Sequence, residues 1–350
     1  MTDVLDHAVT AAASGRWSLD PTRYTDPAIF EAELEVFRRN WWPVARVVDL
    51  KEPGSYVARD VAGEPIVVAR CKDGSFTALS NVCRHRAIVM LEGEGRASAI
   101  QCPYHKWVYD WDGALQGAPF MDDSPNFLAS DCSLPRFPVE AWLGWLFVNL
   151  DGRAEPLAPT LTELEAKLPS DIGDWPTVAS TTYPSPFNWK IITENGSESY
   201  HNIGSHAATI QSIWPGGQSY GVPTNGRYSE ARHSVDPVLG TFAAYTIFPA
   251  MTFTVSEPDP MLLWYDLEVS GPADCVMHLR IAVPSDRASD LEYVERLRAT
   301  INTIHLEDIV TCGKVQRGVR ARSAAKGPLA KAEQPITMLH DWLDRELAAL

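Results

Sequence analysis

The sequence predicts an α+β protein in two parts: a small antiparallel β domain, then a larger domain that mixes strands with one long helix. Three observations predict it. Over about 43–150 the chain runs in short alternating or β-branched stretches cut by glycine, proline and Asp-Gly turns, the pattern of a compact antiparallel β domain. A segment rich in proline and acidic residues, 151–174, reads as a linker. Beyond it, longer strand-like runs lead into a helical stretch over about 291–316. The expected organisation is a helical segment over 1–42 packing on the second domain, the β domain over 43–150, the linker, and the second domain over 175–350.

The elements follow from local chemistry. Phe30, Leu34, Phe37 and Trp41 recur at helical spacing over 29–42, with Asp26 as N-cap and Pro27 at the first helical position. The first domain's strands are read at 55–59, 65–69, 76–79 and 145–150. In the second domain, strands are read at 243–248, 251–256, 262–269 and 276–283 ahead of the long helix. Phe242, Tyr245, Phe248, Phe253, Trp264 and Tyr265 alternate along these strands, so some face inward, and the bulk of such a stripe is expected to be core.

Composition narrows the function classes. Forty-five acidic against thirty basic residues give a net charge of −15, which argues against nucleic acid and anionic membrane as partners. The sequence has no run of eighteen apolar residues and opens with no signal-peptide pattern, so a cytoplasmic protein is expected. Cys71, Cys132, Cys275 and Cys312 show no regular spacing and read as inert thiols, with Cys312 near enough to Asp308 to line a site.

Two other cysteines sit in a pattern. Cys83-Arg84-His85 is followed, sixteen residues on, by Cys102-Pro103-Tyr104-His105, so each of two short loops offers one thiolate and one imidazole. That is the donor set of a Rieske [2Fe-2S] cluster, whose imidazole ligands remove negative charge and raise its potential above that of an all-cysteine cluster. One structural zinc could use the same four residues, although zinc sites usually pair C-x2-4-C with H-x3-5-H. Pro103, Tyr104, Trp107, Tyr109, Trp111 and the turn at Asp112-Gly113 are expected to wrap the loops. Arg84, Arg86 and Lys106 flank them and suit an acidic electron donor, or simply solvent.

The second pattern begins at Asn188. A helix through this stretch would set Asn195, Glu198 and His201 on neighbouring turns by i, i+3 spacing. His206 does not fit that helix, because five residues correspond to about 500° of rotation. The backbone is therefore expected to bend between the two histidines, with Gly204 as the hinge. Two histidines and one carboxylate on one face of a metal form the facial triad of oxygen-activating ferrous enzymes. His7, His233, His278, His305 and His340 stand alone and are expected to be ordinary hydrogen-bonded core or surface residues.

With both patterns in view, the chain resembles the oxygenase (alpha) subunits of the Rieske non-haem iron oxygenases over nearly its whole length. The resemblance implies a Rieske [2Fe-2S] domain holding its cluster with Cys83, His85, Cys102 and His105, plus a helix-grip catalytic domain, an antiparallel sheet over a helix. It implies mononuclear Fe(II) on His201, His206 and Asp308, with Glu307 as the alternative third ligand. Asn195 and Glu198 fall at the family's catalytic positions, Glu198 as the acid bridging the two metal centres, where most members carry aspartate. Two departures are Ala87, where the first loop commonly has glycine, and Gly313, where a glutamate usually follows the ligand aspartate.

The resemblance further implies a homotrimer in which the cluster of one subunit faces its neighbour's iron. A separate reductase or ferredoxin fed by NAD(P)H would supply electrons, since the chain has no flavin or dinucleotide fingerprint. The implied activity is hydroxylation or oxidative demethylation of a small organic molecule with O2, aromatic compounds being the default class. The alternatives are a quaternary ammonium substrate such as a carnitine- or betaine-like compound, which the glutamate at 198 favours, and a non-catalytic Rieske electron carrier.

Overall fold

The computed structural model describes residues 16–233, 241–257 and 259–350. His7 lies outside the described residues. The chain divides into two compact units, Phe37–Asp174 and Met1–Val36 with Trp175–Leu350.

The first helix, α1, spans Pro27–Arg39. The Asp26 side chain accepts a hydrogen bond from the Ala28 N–H at 2.8 Å, the expected cap. The helix ends three residues sooner than its apolar spacing suggests, because Trp42 opens a strand, β1, Trp42–Arg46, and Pro43 cannot continue a helix.

In the unit Phe37–Asp174, β2 (Ser55–Val61), β3 (Glu64–Arg70), β4 (Phe76–Ser80), β5 (Glu94–Arg96) and, paired on the far side of β4, β9 (Arg136–Phe137) form an antiparallel sheet. A second sheet joins β1 to β10 (Val139–Trp142) and β11 (Trp145–Val148). A third, small sheet contains β6 (Ile100–Gln101), β7 (Val108–Tyr109) and β8 (Leu115–Gly117). Leu143 and Gly144 both have positive φ, 43° and 80°, the signature of a two-residue hairpin turn matching strand twist. A Cβ on Gly144 would lie 2.4 Å from the Gly173 carbonyl oxygen, so two backbones touch here. The segment 151–174, read from the sequence as a linker, belongs to the unit Phe37–Asp174, and its Leu157, Leu161, Leu164 and Ile172 are buried, so that apolar burial outweighs its polar composition.

In the other unit, one antiparallel sheet runs β12-β18-β17-β16-β15-β14-β13. Its strands are β12 (Thr177–Ser185), β13 (Ser219–Val222), β14 (Tyr228–His233), β15 (Thr241–Ile247), β16 (Met251–Glu257), β17 (Met261–Gly271) and β18 (Asp274–Ala282). The helices are α2 (Trp189–Gly196), α3 (Asn202–Ser205), α4 (Leu291–Val319) and α5 (Gln334–Ala348). Asp290 caps α4 by accepting from the Tyr293 N–H, and Asn188 caps α2 by accepting from the Lys190 N–H. The fold is thus a sheet gripping a long helix, as the family resemblance implies.

The helix α1 is tied to α2 by charge. Glu33 accepts from Lys190 Nζ at 2.7 and 2.8 Å and from Trp189 Nε1 at 2.8 Å, and the Glu33 and Lys190 side chains are fully buried. Burial pulls the Lys190 pKa down against the attraction of Glu33. Glu33→Gln should therefore destabilise the fold by about 3 kcal/mol or more, measured by denaturant unfolding, because it leaves an ammonium buried without a counter-charge.

Candidate active site

The two cysteine loops share one backbone conformation. The Ala87 N–H donates to the Cys83 carbonyl at 3.0 Å and the Cys83 N–H to the Ile88 carbonyl at 2.9 Å. In the second loop, Lys106 N–H reaches the Cys102 carbonyl at 3.1 Å and Cys102 N–H the Trp107 carbonyl at 2.8 Å. Ala87 and Lys106 occupy equivalent left-handed positions, with φ of 55° and 60°. Alanine is strained there and glycine is not. Ala87→Gly should accordingly stabilise the loop by about 1 kcal/mol, read as slower thermal loss of the cluster's visible absorbance.

The side chains converge. Cys83 and Cys102 are 3% and 1% exposed. The His85 and His105 rings turn their Nδ1 atoms to within 3.1 Å of each other. Trp107 stacks on His85 with ring centres 4.8 Å apart, and the Tyr109 hydroxyl lies 3.4 Å from Cys83 Sγ while accepting from the Arg84 N–H. Burial pushes the Cys83 thiol up, and burial with the nearby His105 and Arg86 lowers His85, favouring the neutral ring that binds a metal. Trp107, Tyr109 and Trp111 are buried around the loops, whereas Tyr104 stays half exposed, its hydroxyl accepting from Arg86 at 3.1 Å. Two buried thiols and two facing imidazoles fit a [2Fe-2S] cluster.

The second site lies between α2, α3, α4 and the sheet. Here the structure corrects the expected helix: α2 stops at Gly196, Glu198 lies in irregular backbone beyond it and His201 in a turn. Two interactions stop it. The Ser197 hydroxyl bonds back to the Thr193 carbonyl at 2.6 Å, and the Glu198 carboxylate accepts from the backbone N–H groups of Tyr200 and His201, competing with helical bonds. Gly204 is an ordinary helical residue of α3 with negative φ, so it is not the hinge. The chain turns before His201 and again at His206, which ends α3.

His201, His206 and Asp308 come together so that one donor atom from each lies within 4.8 Å of the others. His206 Nε2 is 2.9 Å and His201 Nε2 is 3.6 Å from Asp308 Oδ1. The opposite ring nitrogens are held by glutamates: His201 Nδ1 by Glu198 Oε1 at 2.6 Å and His206 Nδ1 by Glu307 Oε2 at 2.7 Å. Thr209 in turn donates to Glu307. A carboxylate on Nδ1 fixes the tautomer whose Nε2 lone pair is free for a metal. Glu307 and Asp308 thus meet opposite ends of one imidazole, and Asp308 alone of the two points at the shared space.

Burial opposes the charge of Asp308, yet the hydrogen bond from His206 and the nearby His305 and His201 rings hold its carboxyl well below the usual range. Burial likewise opposes protonation of His201 and His206, but their carboxylate partners raise both. An oxygen-and-imidazole set of this kind fits ferrous iron.

Asn195 and Glu198 stand on the wall of the adjoining cavity, as do Trp214, Phe242 and Tyr265. Of the six striped aromatics only Phe242 and Tyr265 do so. Tyr245, Phe253 and Trp264 form a cross-strand row outside the cavity lining, and Phe248 packs on Trp342.

Two lone histidines were assigned to the background by sequence and belong to this site. His305 Nε2 meets the Tyr265 hydroxyl at 3.0 Å while its Nδ1 faces Asp308 Oδ2 at 3.5 Å. His233 is buried on the cavity wall with no hydrogen-bond partner among the described residues, contrary to expectation. His340 bonds Glu194 and His278 meets Thr182, as ordinary residues do. Cys312 is buried, outside the cavity lining, and its pKa is pushed up by burial.

An oxygenase fed by its own iron–sulfur cluster is the class of protein that needs both donor sets. Residues 40–138 match the Rieske [2Fe-2S] domain, and residues 172–349 match the catalytic domain of the ring hydroxylating alpha subunit. The chain belongs to the Rieske oxygenase alpha-subunit family. It is 30% identical over 323 residues to the carnitine monooxygenase oxygenase subunit of Acinetobacter pittii, covering 87% of this chain and 86% of that one. It is 28% identical over 338 residues to the chloroplastic choline monooxygenase of Spinacia oleracea, covering 93% and 77%.

Among solved structures, a quaternary ammonium Rieske monooxygenase in complex with L-carnitine superposes with a TM-score of 0.83 at 25% identity, covering 96% of this chain and 97% of the other. Naphthalene 1,2-dioxygenase of a Rhodococcus species, at 19% identity and a TM-score of 0.80, shares the fold. The protein is therefore an oxidoreductase that incorporates oxygen from O2, with a Rieske cluster, a mononuclear iron and electrons from a reductase partner. Among the described residues no helix is long and apolar enough to cross a membrane.

Proposed function

We propose that this chain is the oxygenase of a small quaternary ammonium compound, and that the default expectation of an aromatic substrate gives way to the alternative. The observation that carries it is the cavity wall: Trp214, Phe242 and Tyr265 stand with the carboxylates of Glu198 and Asp308, and no lysine or arginine lines it among the described residues. Aromatic faces, in a wall without a basic side chain, attract a cation that has no N–H to donate. The carnitine and choline monooxygenases among the relatives support the same class.

In this reading His201, His206 and Asp308 would hold the iron, with Glu198 and Glu307 fixing the imidazoles from behind. Bound there, the iron supplies the electron chemistry that activates dioxygen for attack on a substrate carbon. Tyr265 and His305 orient Asp308, and the apolar wall excludes water and places the substrate. Cys83, His85, Cys102 and His105 hold the cluster.

The assembly we assign is a head-to-tail homotrimer, in which Glu198 links His201 to a cluster histidine of the neighbouring subunit. Exposed Tyr200, Ile203, Leu306 and Val310 beside the iron site offer an apolar surface for that neighbour. Sedimentation equilibrium reads the subunit number directly.

The substrate class is tested by coupled NADH and O2 consumption of the iron-loaded protein with a generic reductase. Coupling with carnitine, choline or betaine is the expected result. Coupling only with aromatic acids would return the chain to the ring hydroxylases.

A further inference from the structure

His233 is the buried group for which the mechanism above has no use. It ends β14 opposite Phe242 of β15, is 3% exposed, and faces the cavity, with neither ring nitrogen bonded among the described residues. Trp214 Nε1 and Thr254 Oγ1 belong to residues of the same wall, and both atoms are also buried and unbonded. A buried polar group without a partner is costly, so three around one cavity point to a ligand that completes them.

All three are uncharged, since burial lowers the His233 pKa to about 4. No lysine or arginine lines the cavity among the described residues, and the sequence of 234–240 contains none. A substrate carboxylate beside His233, Trp214 and Thr254 would therefore lie against neutral donors, with no basic side chain to pair it. A hydroxyl can accept from one imidazole N–H or donate to the bare ring nitrogen, and it complements a neutral histidine.

We propose that His233 is a specificity-determining residue that hydrogen-bonds a substrate hydroxyl, so that the site selects trialkylammonium alcohols over trialkylammonium carboxylates. The cationic half of that substrate rests on the function proposed above, whereas the hydroxyl half rests on His233.

The test is calorimetric titration of the holoenzyme with choline, with propyltrimethylammonium, in which a methyl replaces the hydroxyl, and with glycine betaine. A second pair, benzyl alcohol and ethylbenzene, carries the same exchange without a cation. In the wild type, choline should bind about tenfold or more tighter than propyltrimethylammonium. His233→Phe should erase that ratio, and His233→Gln should retain part of it.

Equal binding of the two cations in the wild type, tighter binding of glycine betaine than of choline, or a ratio unchanged in His233→Phe would each overturn the proposal. The wild-type comparison stands even where a variant fails to fold. If no ammonium compound binds while benzyl alcohol outbinds ethylbenzene only when His233 is present, the ammonium reading fails and the hydroxyl-reading role of His233 survives. If neither pair shows a hydroxyl preference, the role of His233 fails.

Discussion

Glu198→Ala should leave the cluster and the mononuclear iron in place and still reduce turnover by about 100-fold or more. The carboxylate touches His201 on the ring nitrogen that faces away from Asp308, so its loss removes no iron donor. Its other oxygen is held by the backbone N–H groups of Tyr200 and His201, which fixes the direction of the carboxylate. Glutamate in place of the family's usual aspartate lengthens that reach by one methylene.

Iron analysis, the cluster spectrum and single-turnover kinetics check the prediction together. Full iron with slow transfer from a pre-reduced cluster is expected. Normal turnover would remove Glu198 from the path. Glu198→Asp separates charge from reach, because it keeps the carboxylate and shortens it.

Asp308→Ala should strip the mononuclear iron while the visible spectrum of the Rieske cluster persists, since the two donor sets lie in different units of the chain. Glu307→Ala should behave differently. Glu307 meets His206 Nδ1, so its removal should weaken iron binding by about 10–100-fold without abolishing it. Titration of the two apo-variants with ferrous ion distinguishes them. Iron content unchanged in Asp308→Ala, and lost in Glu307→Ala, would reverse the assignment. The apo-form of Asp308→Ala should fold, because without the carboxylate His201 and His206 can remain neutral, and neutral rings can bond to each other or to water.

Much of this was legible in the sequence wherever the signal was local. The Cys-x-His and Cys-x-x-His loops carry their four donors within a few residues of one another, so spacing alone identified the cluster site. The cap at Asp26 and the eight strands read from the sequence follow from chain-neighbour preferences that tertiary packing reinforced, whereas short strands such as β6 and β7 and the edge strands β12 and β13 left no local signal. Other signals were ambiguous at short range. Glu307 and Asp308 are adjacent on a helix and differ by about 100° in direction, and periodicity cannot say which one faces the histidines.

The sequence by itself singled out the cysteine and histidine patterns of both sites and the family, because these depend on residue types and short spacings along the chain. Only the tertiary structure decided where α2 ends, which carboxylate meets Nε2 of His206, and that Phe242 and Tyr265 line the cavity while Tyr245 and Trp264 lie outside its lining. It also decided that His233 and His305 are site residues. The physical reason is common to all of these. Each depends on which side chains meet across strands and helices far apart in sequence, where hydrogen bonds and burial override local preference.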